Sequence, residues 1–324
     1  MRACILTDFN LPSFARVGNL YTITFEKLGW RVEHLPLGSN TSGFSKRFDI
    51  VFHNVNGTNF RKIDGCNNIA LFVHEWSHYP PAWTSYLDGF DALWTTTLHC
   101  KEIAERSGLK PPAYWLPPAM DLETPPEKSD YKAQSPFKFL YVGEWQFRKG
   151  LHLLFEAWDL AFPEPGEAHL TLKTSAGCPF DSPREDIEIV RTYWTQDQLH
   201  HAYITSDCYV STSLGEGWGL PILEAIRCGL PVCANLWGGH GSMLSEDNCF
   251  AIPHKEIPQL YAPEPNLYAP GQTCAYSDPK ETAKALRRAL ASDRAERKGL
   301  ADAAFEKFQS AFTLKQFSEK PLNL

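Results

Sequence analysis

The chain has 324 residues, 43% of them hydrophobic, and a net charge of -7 at pH 7. That length is enough for two domains with separate buried cores. The acidic balance argues against a surface built for nucleic-acid phosphates or anionic lipid, either of which would bring a basic excess, although a local basic face stays open. Nine cysteines (Cys4, Cys66, Cys100, Cys178, Cys208, Cys228, Cys233, Cys249, Cys274) form no CxxC pair and no zinc-like grouping. They read as reduced thiols of a cytoplasmic protein. The opening MRACILTDFN has too few apolar residues before Asp8 for a signal h-region, and no later run approaches the ~20 residues of a membrane span.

Apolar runs at 2–7, 31–36, 48–53, 69–73 and 91–96 alternate with helix-like stretches at 18–28 and 98–107. Near-continuous hydrophobicity within each run predicts parallel strands covered on both faces, joined by right-handed βαβ crossovers. Proline and charge then displace the apolar pattern over 116–136, as at a domain linker. The alternation restarts with strands at 137–142, 169–173, 207–212 and 230–235 and helices near 150–161, 195–204, 220–228 and 279–291. The expected organisation is an α/β domain over 1–125, a second over 126–305, and a tail over 306–324 that can pack back on the first. Two such halves imply a cleft, with ligands held at the carboxyl ends of the strands.

The chemistry concentrates in SLGEGWGLPILEAIRCGLPV, residues 213–232. A loop from Ser213 to Gly219 leads into a helix with Pro221 in its first turn, where the missing N–H costs nothing. The N–H groups near Trp218, Gly219 and Leu220 can then hold an anion or sugar hydroxyls, with Gly217 beside them. Glu224, one turn inside, can reach a hydroxyl pair such as ribose O2′ and O3′, and Glu216 can accept from another polyol. For an isolated EGWG the plainer reading is a helix-dipole contact by Glu224, worth ~0.3–1 kcal/mol, and a solvated Glu216.

The whole string STSLGEGWGLPILEAIRCGLPV resembles the signature of glycosyltransferase family 4, with Trp218 in the usual aromatic slot. VGEWQFRKGLHLLFEAW (142–158) resembles that family's strand, loop and KG-started helix. The likeness implies that Lys149 and Arg148 neutralise a diphosphate leaving group, a point charge and a fork suited to phosphate oxygens. Glu144 stands where the family often has arginine, and Arg148 can supply that charge. Residues 194–212 look like the helix and strand before the signature, with the base expected near the backbone of Arg191 to Trp194. Residues 277–290 look like a late helix, and 11–36 like the opening glycine loop and helix, with a single Gly18. A family histidine that contacts the transferred sugar corresponds to His74, at a strand end before an aromatic loop. His78 and His240 take the structural reading. Trp76, Trp145, Trp218 and Trp237 fall in loops where rings can stack on sugar or base or simply fill the core.

The resemblance therefore implies a GT-B fold of two Rossmann-like domains with mainly parallel sheets, and a retaining glycosyltransferase. It would move a sugar from a nucleotide-diphosphate donor to a hydroxyl acceptor by a same-face reaction. No DxD cluster with supporting ligands stands out, so no metal and no other cofactor is expected. The acceptor stays open among a glycan, a glycolipid, a small molecule and a modified nucleic-acid base, as does peripheral membrane contact. A GT-B nucleotide-sugar epimerase or phosphorylase and a catalytically silent sugar-nucleotide binder are the alternatives.

Overall fold

A computed structural model describes residues 1–120, 126–182, 184–259, 269–315 and 317. The chain divides into two compact units, Met1–Leu122 with Ala262–Gln272 and Gln309–Leu324, and Glu123–Tyr261 with Thr273–Phe308. The expected linker thus contributes Leu116 to Met120 to the first unit and Lys128 to Tyr131 to the second; its residues 121–125 lie outside the described ones.

The first unit runs β1 (Arg2–Thr7), α1 (Pro12–Lys27), β2 (Arg31–Pro36), α2 (Phe44–Arg47), β3 (Ile50–Asn54), β4 (Asn67–Phe72), β5 (Ala92–Thr95), α3 (Leu98–Arg106) and β6 (Ala113–Trp115). The strands form a six-stranded sheet in the order β2-β1-β3-β4-β5-β6, with every pairing parallel. All five residues of β3 are buried, as a central strand covered on both faces requires. On one face Tyr21 and Phe25 of α1 meet Phe52 and Trp94, and Phe317 joins them from the end of the chain. The helix expected from residue 18 begins at Pro12, so Gly18 lies inside α1 and not in a glycine loop. Close packing explains the glycine there: a β-carbon would fall 2.5 Å from His34 Nε2 and 2.7 Å from Thr7 Oγ1.

The second unit runs β7 (Phe137–Val142), α4 (Leu151–Ala161), β8 (Ala168–Lys173), β9 (Ile187–Val190), α5 (Gln196–Thr205), β10 (Cys208–Ser211), α6 (Leu220–Cys228), β11 (Val232–Asn235), β12 (Phe250–Ile252), β13 (Lys255–Pro258), β14 (Thr273–Tyr276), α7 (Pro279–Ala291) and α8 (Arg294–Ala311) up to Phe308. Its parallel sheet has the order β12-β11-β10-β7-β8-β9, and β13 and β14 pair apart as an antiparallel ribbon. Phe137, Phe139 and Tyr141, alternate residues of β7, bury one face against Trp158 of α4 and Leu286 of α7. The order reverses between β7 and β10: β8 and β9 extend the sheet from β7 on one side, β11 and β12 from β10 on the other. Loops leaving neighbouring strands at such a switch point open towards each other, and there an α/β sheet takes its ligand. All nine cysteines are free thiols. Among the described residues no helix is long and apolar enough to cross a membrane.

Candidate functional site

The loops after β7 and β10 are fastened to each other by backbone. Leu214 N–H donates to the Arg148 carbonyl at 2.7 Å, the Ser213 hydroxyl to the same oxygen at 3.1 Å, and the Thr212 hydroxyl to the Gly150 carbonyl at 2.9 Å. Gly150 makes this approach possible. Its φ is 68°, and a β-carbon would lie 2.0 Å from the Thr212 oxygen, so no other residue fits without moving the loop.

That fastening brings Lys149 and Arg148 to Glu216. Lys149 Nζ donates to Glu216 Oε2, and Arg148 Nη1 lies 3.6 Å from the same oxygen while donating to the Gly215 carbonyl at 2.9 Å. All three side chains are only 13–15% exposed. Burial alone would raise the Glu216 carboxyl, but Lys149 and Arg148 outweigh it and hold the group down at about 2. Glu216 is therefore a carboxylate throughout the neutral range.

The turn after β11 completes the surroundings. Gly239 N–H donates to the Glu216 carbonyl at 2.6 Å, and Asn235 Nδ2 to the Ser213 carbonyl at 2.9 Å. Gly239 lies on the backbone of Gly217 and Trp218, where a β-carbon would come within 2.7 Å of the Gly217 carbonyl. His240, assigned a structural role from sequence, lines a small cavity with Lys149, Glu216 and Gly219. Its Nδ1 lies 3.2 Å from the Asn235 carbonyl oxygen, which can only accept, so Nδ1 carries the proton. Burial first, partly offset by Glu216, brings His240 down to about 4, and the ring is neutral at pH 7. Nothing in the local pattern GGHG signals this placement; the sheet reversal does.

Gly219, with φ 90°, is the N-cap of α6, and Pro221 stands in the first turn as expected. Leu220 opens the helix; Pro221 has no N–H, and the Ile222 and Leu223 N–H groups already donate to the Gly219 carbonyl at 3.0 and 3.1 Å. Glu224, one turn on, accepts from the Tyr203 hydroxyl of α5 at 2.9 Å. Trp218 is 3% exposed, so its ring packs in the interior and offers no open face for stacking. Trp76 and Trp237 are buried as well, and Trp145 meets Phe180 edge-on at 4.8 Å.

Arg191 and Trp194 follow β9, two strands from β7, and do not join this cluster. The Arg191 guanidinium turns to the Phe180 carbonyl and to Asp181, 2.7 Å away. Trp194 lines an open groove between α5 and the sheet, with Lys173 Nζ 5.9 Å from its ring centre. In the first unit His74 is 3% exposed; its Nε2 accepts from Gln272 Nε2 at 3.2 Å, and its ring meets Tyr79 edge-on.

Residues 136–292 match the family described as Glycosyl transferases group 1. A stretch of 107 residues is 33% identical to O-antigen chain mannosyltransferase B of Escherichia coli; the match covers 30% of this chain and only 28% of that relative's length. Among solved structures, Alr3699/HepE of Anabaena, crystallised with UDP and glucose, superposes with a TM-score of 0.69 at 14% identity, over 98% of both chains. Sucrose-phosphate synthase of Thermosynechococcus elongatus gives 0.68 at 16% identity, again over 98% of both. The fold is GT-B, as in these structures, and the match to the group 1 glycosyltransferase family is confined to residues 136–292.

Proposed function

We propose that the protein is a cytoplasmic, retaining glycosyltransferase of family 4 that moves a sugar from a nucleoside-diphosphate sugar to a hydroxyl acceptor. One observation carries this reading: Lys149, Arg148 and Glu216 converge beside the glycine-capped start of α6, at the sheet reversal of a group 1 domain. Lys149 and Arg148 meet the charge that grows on the departing diphosphate, in surroundings where water does not screen it. Leu220 and its neighbours offer backbone N–H groups to the same phosphates. Glu216 takes hydroxyls of the transferred sugar, and Glu224, held by Tyr203, takes the ribose. UDP in the Anabaena structure makes a uridine nucleotide the first donor to try.

With two cations at the leaving group, transfer needs no metal ion. A donor phosphate oxygen on the reacting face takes the acceptor's proton, and no protein nucleophile is assigned. Gly18, His74 and the backbone of Arg191 to Trp194 enter the reading through the family resemblance, as contacts to donor, transferred sugar and base.

The test is a thermal-shift screen of UDP- and GDP-sugars, where a ligand at 100 times its Kd adds about 2.7 kcal/mol, followed by a turnover assay with and without candidate acceptors. Transfer that survives EDTA and yields the donor's anomeric configuration by NMR supports the reading. Donor consumed without an acceptor makes the protein an epimerase, and donor bound but left intact makes it a silent binder.

A further inference from the structure

Tyr141 ends the core-facing series of β7 with its ring packed in the second unit's interior and its hydroxyl at the head of the strand. The residue is 2% exposed, and the hydroxyl has no hydrogen-bond partner in the protein. Nearly all buried polar side-chain atoms in folded proteins have a partner, so an orphan of this kind calls for one from outside. Gly143 leaves the room: a β-carbon there would stand 2.7 Å from the hydroxyl oxygen.

The surroundings narrow what that partner is. Tyr141 lines the same small cavity as Lys149, Glu216, His240 and Gly219, whereas Glu224 does not. Burial, with Glu216 adding to it, pushes the phenol above the usual tyrosine range, so the group is a neutral O–H that can donate. Lys149, which lines the cavity, and Arg148 both already face Glu216. A neutral donor can therefore bind an anion without a new charge that the site would have to balance. Of the two ends assigned to the nucleotide sugar, the cavity lies at the Glu216 end, nearer the sugar than the ribose.

We propose that the Tyr141 hydroxyl binds the donor's diphosphate, donating to a non-bridging oxygen of the phosphate that carries the transferred sugar. The inference rests on the donor reading above and deepens it. Tyr141→Phe keeps the ring in the core and removes only the donor. Calorimetric titration of wild type and Tyr141→Phe with UDP and GDP, and with UMP and GMP, separates the two phosphates. For the diphosphate that binds wild type, the substitution weakens affinity about tenfold, as expected for a lost hydrogen bond to a charged group. It lowers kcat by at least as much, leaves the monophosphate unchanged, and does not lower the Tm. Diphosphate affinity and kcat within twofold of wild type overturn the proposal, as does an equal loss for mono- and diphosphate. Failure of wild type itself to bind any of the four nucleotides is a different result, and it overturns the donor reading together with the inference.

Discussion

Glu216 and Lys149 are 67 positions apart in sequence and joined side chain to side chain, each close to 15% exposed. The pair makes the carboxylate that would bind the sugar the same group that holds the cation for the leaving diphosphate. Donor binding as proposed would therefore redistribute an existing hydrogen bond, and the two functions assigned to these residues would be coupled through it.

Replacing Glu216 by Gln leaves Lys149 and Arg148 facing each other without their carboxylate. Breaking a buried pair from one side costs ~3–5 kcal/mol, and the remaining exposure places the loss at the lower end. Stability falls, sugar transfer falls, and affinity for the nucleoside diphosphate does not fall, because its phosphates take over the role of the missing anion. Chemical denaturation beside calorimetric titration measures all three. A diphosphate affinity that drops as far as in Glu224→Gln would show that Glu216 braces the loop and does not sort the sugar end.

Glu224→Gln should weaken the nucleoside diphosphate and the intact donor by the same factor, since both contain the ribose. Tyr203→Phe, which removes the 2.9 Å hydrogen bond to Glu224, should shift both affinities in the same direction by a smaller factor. Intact affinities in both variants would take the ribose away from α6.

Gly150→Ala should be among the most damaging single changes in the second unit. The methyl group meets the Thr212 carbonyl at 2.0 Å, and the backbone is left-handed. The loop has to move, which carries Lys149 away from Glu216, so nucleotide binding is lost even where the protein still folds. Gly18→Ala in α1 clashes with His34 and Thr7 and should cost about 1–3 kcal/mol of overpacking. Circular dichroism melts of both variants, with nucleotide titration of the first, test the contrast.

His240 and His53 are both buried, and burial brings each down to about 4. The unfolded chain, whose histidines titrate near their ordinary value, binds more protons than the folded one between about pH 6.5 and pH 4. Stability therefore rises with pH across that window: the contribution is fully present above pH 6.5 and lost as pH falls towards 4. Glu216, Lys149 and Arg148 face His240, while Asn68 pairs with His53 at 3.0 Å. Melting curves from pH 4 to 7 should show the slope, and His240→Gln and His53→Gln should each flatten part of it. An unchanged slope in both variants would place the acid sensitivity elsewhere.

The central strands and the glycine-led helix were legible because their signals are local. Long apolar runs mark β1, β3, β4 and β7, and Gly219, Pro221 and Gly229 mark the ends of α6. The three-residue strands β6 and β12 are below the length at which periodicity speaks, and β9 was missed as well. The glycine loop expected around Gly18 is helix instead, because glycine in a sequence looks the same whether it frees a loop or makes space under a helix. Tyr141 went unnoticed, and His240 was read as structural, for a related reason. Their roles come from the adjacency of β7, β10 and β11, which no stretch of neighbouring residues encodes.

The reversal of strand order also bears on how the chain acquires its structure. Residues 137–190 can pair among themselves through short connections, and so can 207–252; the joining of β7 to β10 is the long-range event. Closing that large loop carries an entropy cost with nothing to offset it until the two halves dock, which makes it the slow step by topology. Lys149 cannot meet Glu216 earlier. In a refolding experiment, helical signal should return first and nucleotide binding should lag behind it, so that ligand binding reports the docking of the two half-sheets and not the formation of either one.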